Sequence, residues 1–190
     1  MSGPGRLLVL SGPSGAGKTT IARSLLRDPS FARARTATTR APRGDEQDGV
    51  DYDFLDPAAF EAGARRGEFL ETAEVYGHRY GTPRRNLEVL LEAGKNAVLV
   101  VDVQGARTLR RLATPGTFVF VAAPDPEALR RRLEARGEDD PATIQRRLEA
   151  AEREAEEAEH FDLVIVNDDV EAATRRLARD AGLEWTPTRA

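Results

Sequence analysis

Four consecutive apolar residues, Leu7-Leu8-Val9-Leu10, open the patterned part of the chain, and so short a run reads as a buried strand. Ile21, Ala22, Leu25 and Leu26 follow at helical spacing until Asp28-Pro29 ends the periodicity. A short strand is predicted around Arg35-Thr36-Ala37, then a polar, turn-rich stretch from Thr38 to Asp51, then a strand from Tyr52 to Leu55. Asp56-Pro57 has the form of a helix start, with Asp as N-cap and Pro at the first position. Phe69 to Val75 alternates weakly and reads as a strand. Thr82-Pro83 is taken to start the next helix, which Gly94 closes.

Asn96 to Val103 reads as a continuous apolar run ending at Asp102, the pattern of a central parallel strand buried on both faces. Gln104 to Leu112 reads as a short helix and Thr117 to Ala122 as another buried strand. Asp125-Pro126 and Asp140-Pro141 open two further helices with the same start signal. In the second, Ile144, Leu148, Ala151, Ala155 and Ala158 form a narrow apolar stripe, and the Glu/Arg run on the other faces reads as solvated surface. Leu163 to Val166 is the last core strand, and Asp168 with Glu171 resembles a capping box for the terminal helix. Strands alternating with helices predict an α/β fold built on a parallel sheet.

Composition narrows the picture without redirecting it. At 190 residues the chain suits one domain, and a 40% hydrophobic, 32% charged make-up suits a water-soluble one. The net charge of −4 argues against general nucleic-acid binding, while local arginine clusters remain able to hold phosphates. Without cysteine, disulfides and thiolate metal sites are excluded. No apolar run is long enough to span a bilayer and no signal peptide precedes the first strand, so the expected compartment is the cytoplasm.

Between the first strand and the first helix lies Gly12-Pro13-Ser14-Gly15-Ala16-Gly17-Lys18-Thr19, which fits the P-loop pattern in its required strand–loop–helix setting. The glycines let backbone N–H groups wrap a phosphate, and the helix N-terminus adds its positive dipole end. Lys18 is expected to reach the β/γ-phosphates and the Thr19 hydroxyl to hold Mg²⁺. Of 28 basic residues only Lys18 and Lys95 are lysine, so the loop keeps a compact ammonium in a chain that otherwise uses arginine.

The segments GPSGAGKTT (Gly12–Thr20), TATTRAPRGDEQDGVDYDF (Thr36–Phe54), GEFLETAEVYGHRYGTP (Gly67–Pro83), VDVQGA (Val101–Ala106), RRLEARG (Arg131–Gly137) and VNDD (Val166–Asp169) together resemble guanylate kinase over nearly the whole chain. TTR-x-PR followed by G-x-DY, with FLE and YGTP later, is the specific part of that resemblance. It implies a P-loop NTPase-like parallel sheet flanked by helices, with an inserted GMP-binding subdomain and a helical lid. In this chain the core would be residues 1–35, 91–124 and 159–190, the GMP-binding subdomain about 36–90 and the lid about 125–158. The implied activity is transfer of the γ-phosphoryl group of ATP to GMP, and to dGMP, with Mg²⁺, in a monomer or homodimer.

The same resemblance assigns roles by position. Gly12, Pro13, Ser14, Gly15, Ala16, Gly17, Lys18, Thr19 and Thr20 would bind ATP, with Asn167 near the adenine. Arg40, Arg43, Tyr52 and Tyr80 would hold the GMP phosphate. Glu71 and Asp102 would read the guanine, with Thr82 and Thr36 nearby. Arg132, Arg136 and Arg147 would be lid arginines that join Lys18, Arg40 and Arg43 in catalysis. The family often has Asp where this chain has Val100, Ser at Thr36 and Trp at Thr72; Val100 removes a water-mediated Mg²⁺ contact from that position.

Such residues suit the chemistry. A GMP phosphate has its second pKa at about 6 and is largely dianionic at neutral pH, so no general base is required. His78 and His160 are assigned none. The reaction does need relief of phosphate–phosphate repulsion, which arginines and Mg²⁺ supply. Arg40 and Arg43, three apart in a turn-rich segment, can reach one phosphate, and Arg132 and Arg136 share a helix face. Guanine offers N1–H and an amino group on one edge, which one carboxylate accepts together. Two rivals stay open: a related P-loop kinase acting on another phosphorylated acceptor such as ribose bisphosphate, and a non-enzymatic guanylate-kinase-like module that binds phosphopeptides. The intact TTR-x-PR and FLE segments weigh against the first and the intact P-loop against the second.

Overall fold

The computed structural model describes residues 5–75, 77–137 and 139–188. In chain order the first elements are β1 (Leu7–Ser11), α1 (Lys18–Leu25), β2 (Phe31–Ala34), β3 (Ala37–Thr38), β4 (Asp53–Phe54), α2 (Pro57–Arg65), β5 (Phe69–Val75) and β6 (His78–Pro83). They are followed by α3 (Arg84–Glu92), β7 (Asn96–Val100), α4 (Val103–Arg111), β8 (Thr117–Ala122), α5 (Pro126–Arg136), α6 (Pro141–Ala155), a 3₁₀ turn (Glu156–His160), β9 (Leu163–Val166) and α7 (Val170–Asp180).

Five strands form a parallel sheet in the order β2-β7-β1-β8-β9. Every residue of β1 is buried, and the two-residue period of a strand sends its side chains to opposite faces. Leu8 and Leu10 pack with Ile21, Ala22 and Leu25 of α1 and Leu177 of α7. Leu7 and Val9 pack on the other face with Leu87 of α3, Ala106 and Leu109 of α4 and Phe118. The P-loop leaves the C-terminal end of this central strand, where α/β sheets place their ligands.

A second sheet of four strands runs β4-β3-β6-β5, its β5–β6 and β3–β6 pairs antiparallel and β3–β4 parallel. The predicted strand at Arg35-Thr36-Ala37 is corrected here. Phe31–Ala34 pairs on β7 in the first sheet and Ala37–Thr38 pairs on β6 in the second, so Arg35 and Thr36 carry the chain between sheets. The helix start at Thr82-Pro83 is likewise corrected: both residues end β6, and α3 begins at Arg84. Glycine in β6 had masked the strand. Gly81 is needed there because a Cβ would lie about 3 Å from the stacked rings of Phe60 and Phe69.

The three Asp-Pro helix starts fold as read. Asp56, Asp125 and Asp140 accept from the backbone N–H groups of Ala59, Ala128 and Thr143 at 2.7, 2.6 and 2.9 Å. The terminal helix is capped by Asp169 rather than Asp168, since Asp169 Oδ1 accepts from Ala172 N. Ile144, Leu148 and Ala151 of the predicted stripe do pack against Leu129 and Leu133 of α5. Ala155 is exposed and Ala158 falls in the 3₁₀ turn, so the stripe is shorter than its sequence pattern.

Asp125→Ala should remove the α5 cap and cost about 1 kcal/mol. A lower urea midpoint at unchanged slope is the expected outcome; an unchanged midpoint would show that the cap is not formed in solution.

Candidate active site

The P-loop is shaped by glycines at positions other residues resist. Gly12, Gly15 and Gly17 have φ of 126°, 88° and 97°, and a Cβ on Gly17 would meet Asn167 Nδ2 at 2.0 Å. Lys18 folds back over the loop and donates to the carbonyls of Gly12 (2.5 Å) and Pro13 (2.8 Å). Burial of its ammonium lowers the pKa to about 8, opposed by the carboxylates of Glu154 and Asp102 and assisted by Arg136. Thr19 and Thr20 are exposed at the start of α1.

A second group of residues secures the loop from outside. Asn167, 2% exposed, donates through Nδ2 to Ala16 O at 2.9 Å, while its Oδ1 is buried without a partner. Arg132 donates to Ala16 O (3.3 Å) and Asn167 O (2.7 Å), tying α5 to the loop. Arg147 of α6 donates to Ser14 Oγ at 2.7 Å and to Asp139 Oδ1 at 3.0 Å, with both charged side chains 9% exposed. Arg136, at the end of α5, is exposed and close enough to Lys18 to depress its pKa. A shallow, open depression lined by Pro124, Ala128, Arg131, Arg132 and Asp168 includes the Arg132 of this brace.

The second sheet presents its own cluster. Thr38 Oγ1 donates to Arg79 O and accepts from Arg40 N, which fixes the backbone where Arg40 leaves β3. The Arg40 guanidinium is 6% exposed. Its Nε donates to Tyr80 Oη (3.3 Å), one terminal nitrogen to Ala41 O (2.6 Å), and the other to both oxygens of Glu46 (3.0 and 2.8 Å). Glu46 also accepts from the backbone N–H of Arg43 at 2.9 Å, so one carboxylate joins the two arginines. The rings of Tyr52 and Tyr80 meet edge to face at 6.3 Å beside them.

A pair of carboxylates, Glu71 and Asp102, forms a third group, and Asp102 interacts with the charge of Lys18. The β5–β6 register slips between Phe69 and Thr72, so Leu70 and Glu71 share the place opposite Thr82. That bulge turns Glu71 onto the Thr82 hydroxyl, which donates to Oε1 at 2.7 Å. Glu71 is 5% exposed, and burial raises its pKa to about 7, with Thr82 opposing and Asp102 adding to the rise. Asp102 caps α4 by accepting from Gly105 N at 2.9 Å, and burial raises its pKa too. Both carboxylates face Gly105, where a Cβ would lie 3.1 Å from Asp102 Oδ1 and from Glu71 Oε2. The buried Thr36 lies on the segment leading into this region.

The guanylate kinase family model matches residues 4–180. This chain belongs to the guanylate kinase family. It is 42% identical over 175 residues to a guanylate kinase of Clostridium perfringens, covering 91% of this chain and 81% of that one. A guanylate kinase of Rubrobacter xylanophilus is 46% identical over 174 residues, 91% of each chain. Among solved structures, the guanylate kinase of Anaplasma phagocytophilum superposes with a TM-score of 0.76 at 36% identity, covering 94% of this chain and 85% of that one. A shikimate kinase of Bacteroides thetaiotaomicron, 16% identical with a TM-score of 0.51 over 94% of this chain and 99% of that one, shares the fold alone.

Three residues of this guanylate kinase family site escaped sequence reasoning. Glu46, Asp139 and Glu154 stand against Arg40, Arg147 and Lys18 respectively. Glu154 sits in the acidic face of α6 that reads as solvated surface, yet it is half-buried. Glu46 alone carried a local signal, three residues beyond Arg43 in a turn.

Glu46→Gln should leave the desolvated Arg40 guanidinium without its counter-charge and lower unfolding stability by about 1–3 kcal/mol. Urea denaturation checks this, and an unchanged midpoint would mean the pair is not formed in solution.

Proposed function

We propose that this chain transfers the γ-phosphoryl group of ATP to GMP, with Glu71 as the principal reader of guanine. The carrying observation is the buried Glu71, facing Asp102 across Gly105, with Asp102 near enough to the P-loop Lys18 for their charges to interact. A carboxylate held in so dry a place suits a ligand edge with two adjacent N–H donors, and guanine has one. Adenine would leave it unpaired, and mismatches of this kind discriminate by about 10⁴.

On this reading residues 36–90 form the GMP-binding subdomain, 125–158 the lid, and the remainder the core. Gly12 to Thr20, Lys18 among them, wrap the ATP phosphates, Arg132 and Asn167 brace the loop from α5 and the end of β9, and Asn167 lies near the adenine. Arg40, Arg43, Tyr52 and Tyr80 hold the acceptor phosphate. Arg132, Arg136 and Arg147 join Lys18 in stabilising charge on the transferring group. The acceptor oxygen is already ionised near neutral pH, so positioning and charge relief make up the protein's contribution.

Among the described residues no group of three or more His, Asp or Glu side chains could hold a metal ion. The exposed Thr19 hydroxyl together with nucleotide phosphates suits Mg²⁺, which favours few protein ligands, and the ion would neutralise phosphate charge. Among the same residues no helix is long and apolar enough to cross a membrane.

Release of ADP with ATP and a panel of GMP, dGMP, AMP, CMP, UMP and ribose bisphosphate tests the activity. GMP should be the preferred acceptor; equal use of ribose bisphosphate would favour the rival kinase reading. Glu71→Gln places an amide donor against guanine's donors, so the GMP/AMP ratio of kcat/KM should fall by at least about tenfold. An unchanged ratio in a folded variant would move the assignment to Asp102.

Acidity offers a second check. Glu71 accepts both guanine donors only when ionised, and its pKa in the free protein is about 7. GMP binding should therefore strengthen as pH rises through about 7 and release a proton below it. GMP's own phosphate titrates nearby, so the Glu71 share is the part that vanishes in Glu71→Gln.

A further inference from the structure

Arg33 lies on β2, in the parallel sheet, outside every segment assigned to substrate. Its side chain is 14% exposed and its guanidinium reaches Asp51 Oδ1 at 3.6 Å. Arg23, on the helix that follows the P-loop, approaches the same oxygen at 3.9 Å from a largely solvated position. Asp51 belongs to the turn-rich loop between β3 and β4, and the next residue is Tyr52. The guanidinium carbon of Arg33 stands 5.4 Å from the centre of the Tyr52 ring, the same distance as that of Arg40. One arginine of the parallel sheet and one from the loop just past β3 thus meet one tyrosine.

We infer that Arg33 is a positioning residue of the acceptor-phosphate site: it seats the Tyr52 ring and anchors Asp51, docking the acceptor loop onto the nucleotide-binding sheet. The inference rests on the reading that Tyr52 holds the acceptor phosphate.

Three physical effects converge. A cation over an aromatic face is attracted by the ring's quadrupole, more strongly where water is displaced. The Asp51 pair is largely shielded on both sides and acts on the same loop, so both contacts restrain one segment. The third effect concerns the phenol. Burial pushes the Tyr52 hydroxyl up in pKa, and Arg33 is the largest influence opposing that rise. A more acidic phenol is a stronger hydrogen-bond donor to an anion. Arg33 thereby acts on phosphate through Tyr52 while remaining on the core sheet. Its planar guanidinium matters for the stacking geometry, so lysine is an imperfect replacement.

The experiment is a double-mutant cycle on steady-state constants, using Arg33→Met, Tyr52→Phe and the pair. Methionine keeps an apolar stem of similar length while removing the charge. Arg33→Met should raise KM for GMP by about threefold to tenfold with KM for ATP unchanged, and Arg33→Lys should recover part of the loss. In the Tyr52→Phe background the same change should have a clearly smaller effect, because the part of Arg33's action that passes through the phosphate-directed hydroxyl is gone and only the ring and Asp51 contacts remain. If Arg33→Met raises KM for GMP equally in both backgrounds, or weakens ATP as much as GMP, the inference is overturned. It also fails if Arg33→Met is silent while Tyr52→Phe is impaired, and the assignment of Tyr52 to the acceptor phosphate then survives. A silent Tyr52→Phe would overturn that assignment and the inference with it. Should Arg33→Met fold poorly, the Arg33→Lys and Tyr52→Phe cycle gives the same separation with a smaller expected effect.

Discussion

Holding cations out of water before any phosphate arrives is the constraint on which the rest of this molecule depends. An ammonium or guanidinium that is to grip phosphate in a dry site must first survive there unliganded. Each cluster meets that demand from within. Lys18 turns onto the carbonyls of Gly12 and Pro13, Arg40 onto Glu46, and Arg147 onto Ser14 and Asp139. Arg132 uses the carbonyls of Ala16 and Asn167. On the proposed function, phosphate binding would then be an exchange of partners, and the arginines and the lysine keep their places in the free protein without the full cost of bare buried charge.

The fold provides the geometry for that exchange. A fully buried central strand ends at the P-loop, and the adjacent β7 leads to Asp102, bringing the loop and a carboxylate to one end of the sheet. The second sheet contributes Glu71 through an irregularity of its ladder, where two residues of β5 oppose one of β6. A regular ladder would alter which side chain meets Thr82. Gly105 completes the arrangement, since any side chain there would crowd both carboxylates. Small local features, a bulge and a missing Cβ, thus set the position of the candidate base-reading group.

Much of this was legible in the sequence because the signals were local. Asp-Pro starts for α2, α5 and α6, continuous apolar runs for β1, β7 and β8, and the Gly-rich loop all depend on neighbouring residues. The sheet change at Arg35-Thr36 was not legible, since alternation along a strand does not say which sheet it joins. β6 was hidden by Gly81 and Pro83, residues that ordinarily count against a strand. Among site residues, the cations and Glu71 stood in recognisable segments, whereas Asp139 lies eight positions from Arg147 and only the fold brings them together. Glu154 was hidden differently, by an acidic helix face whose solvated and buried positions look alike in sequence.

The self-neutralised cation site is tested most directly at Lys18. The chain holds only Lys18 and Lys95, so ¹³C-lysine labelling gives two side-chain ε-signals, assignable with Lys95→Arg. In the free protein the Lys18 ammonium should titrate near pH 8, held down by burial, and saturating ATP should move that titration upward as phosphate charge replaces the loop carbonyls. Titration of Lys18 at the ordinary lysine value without nucleotide, and no movement when ATP is added, would contradict the account.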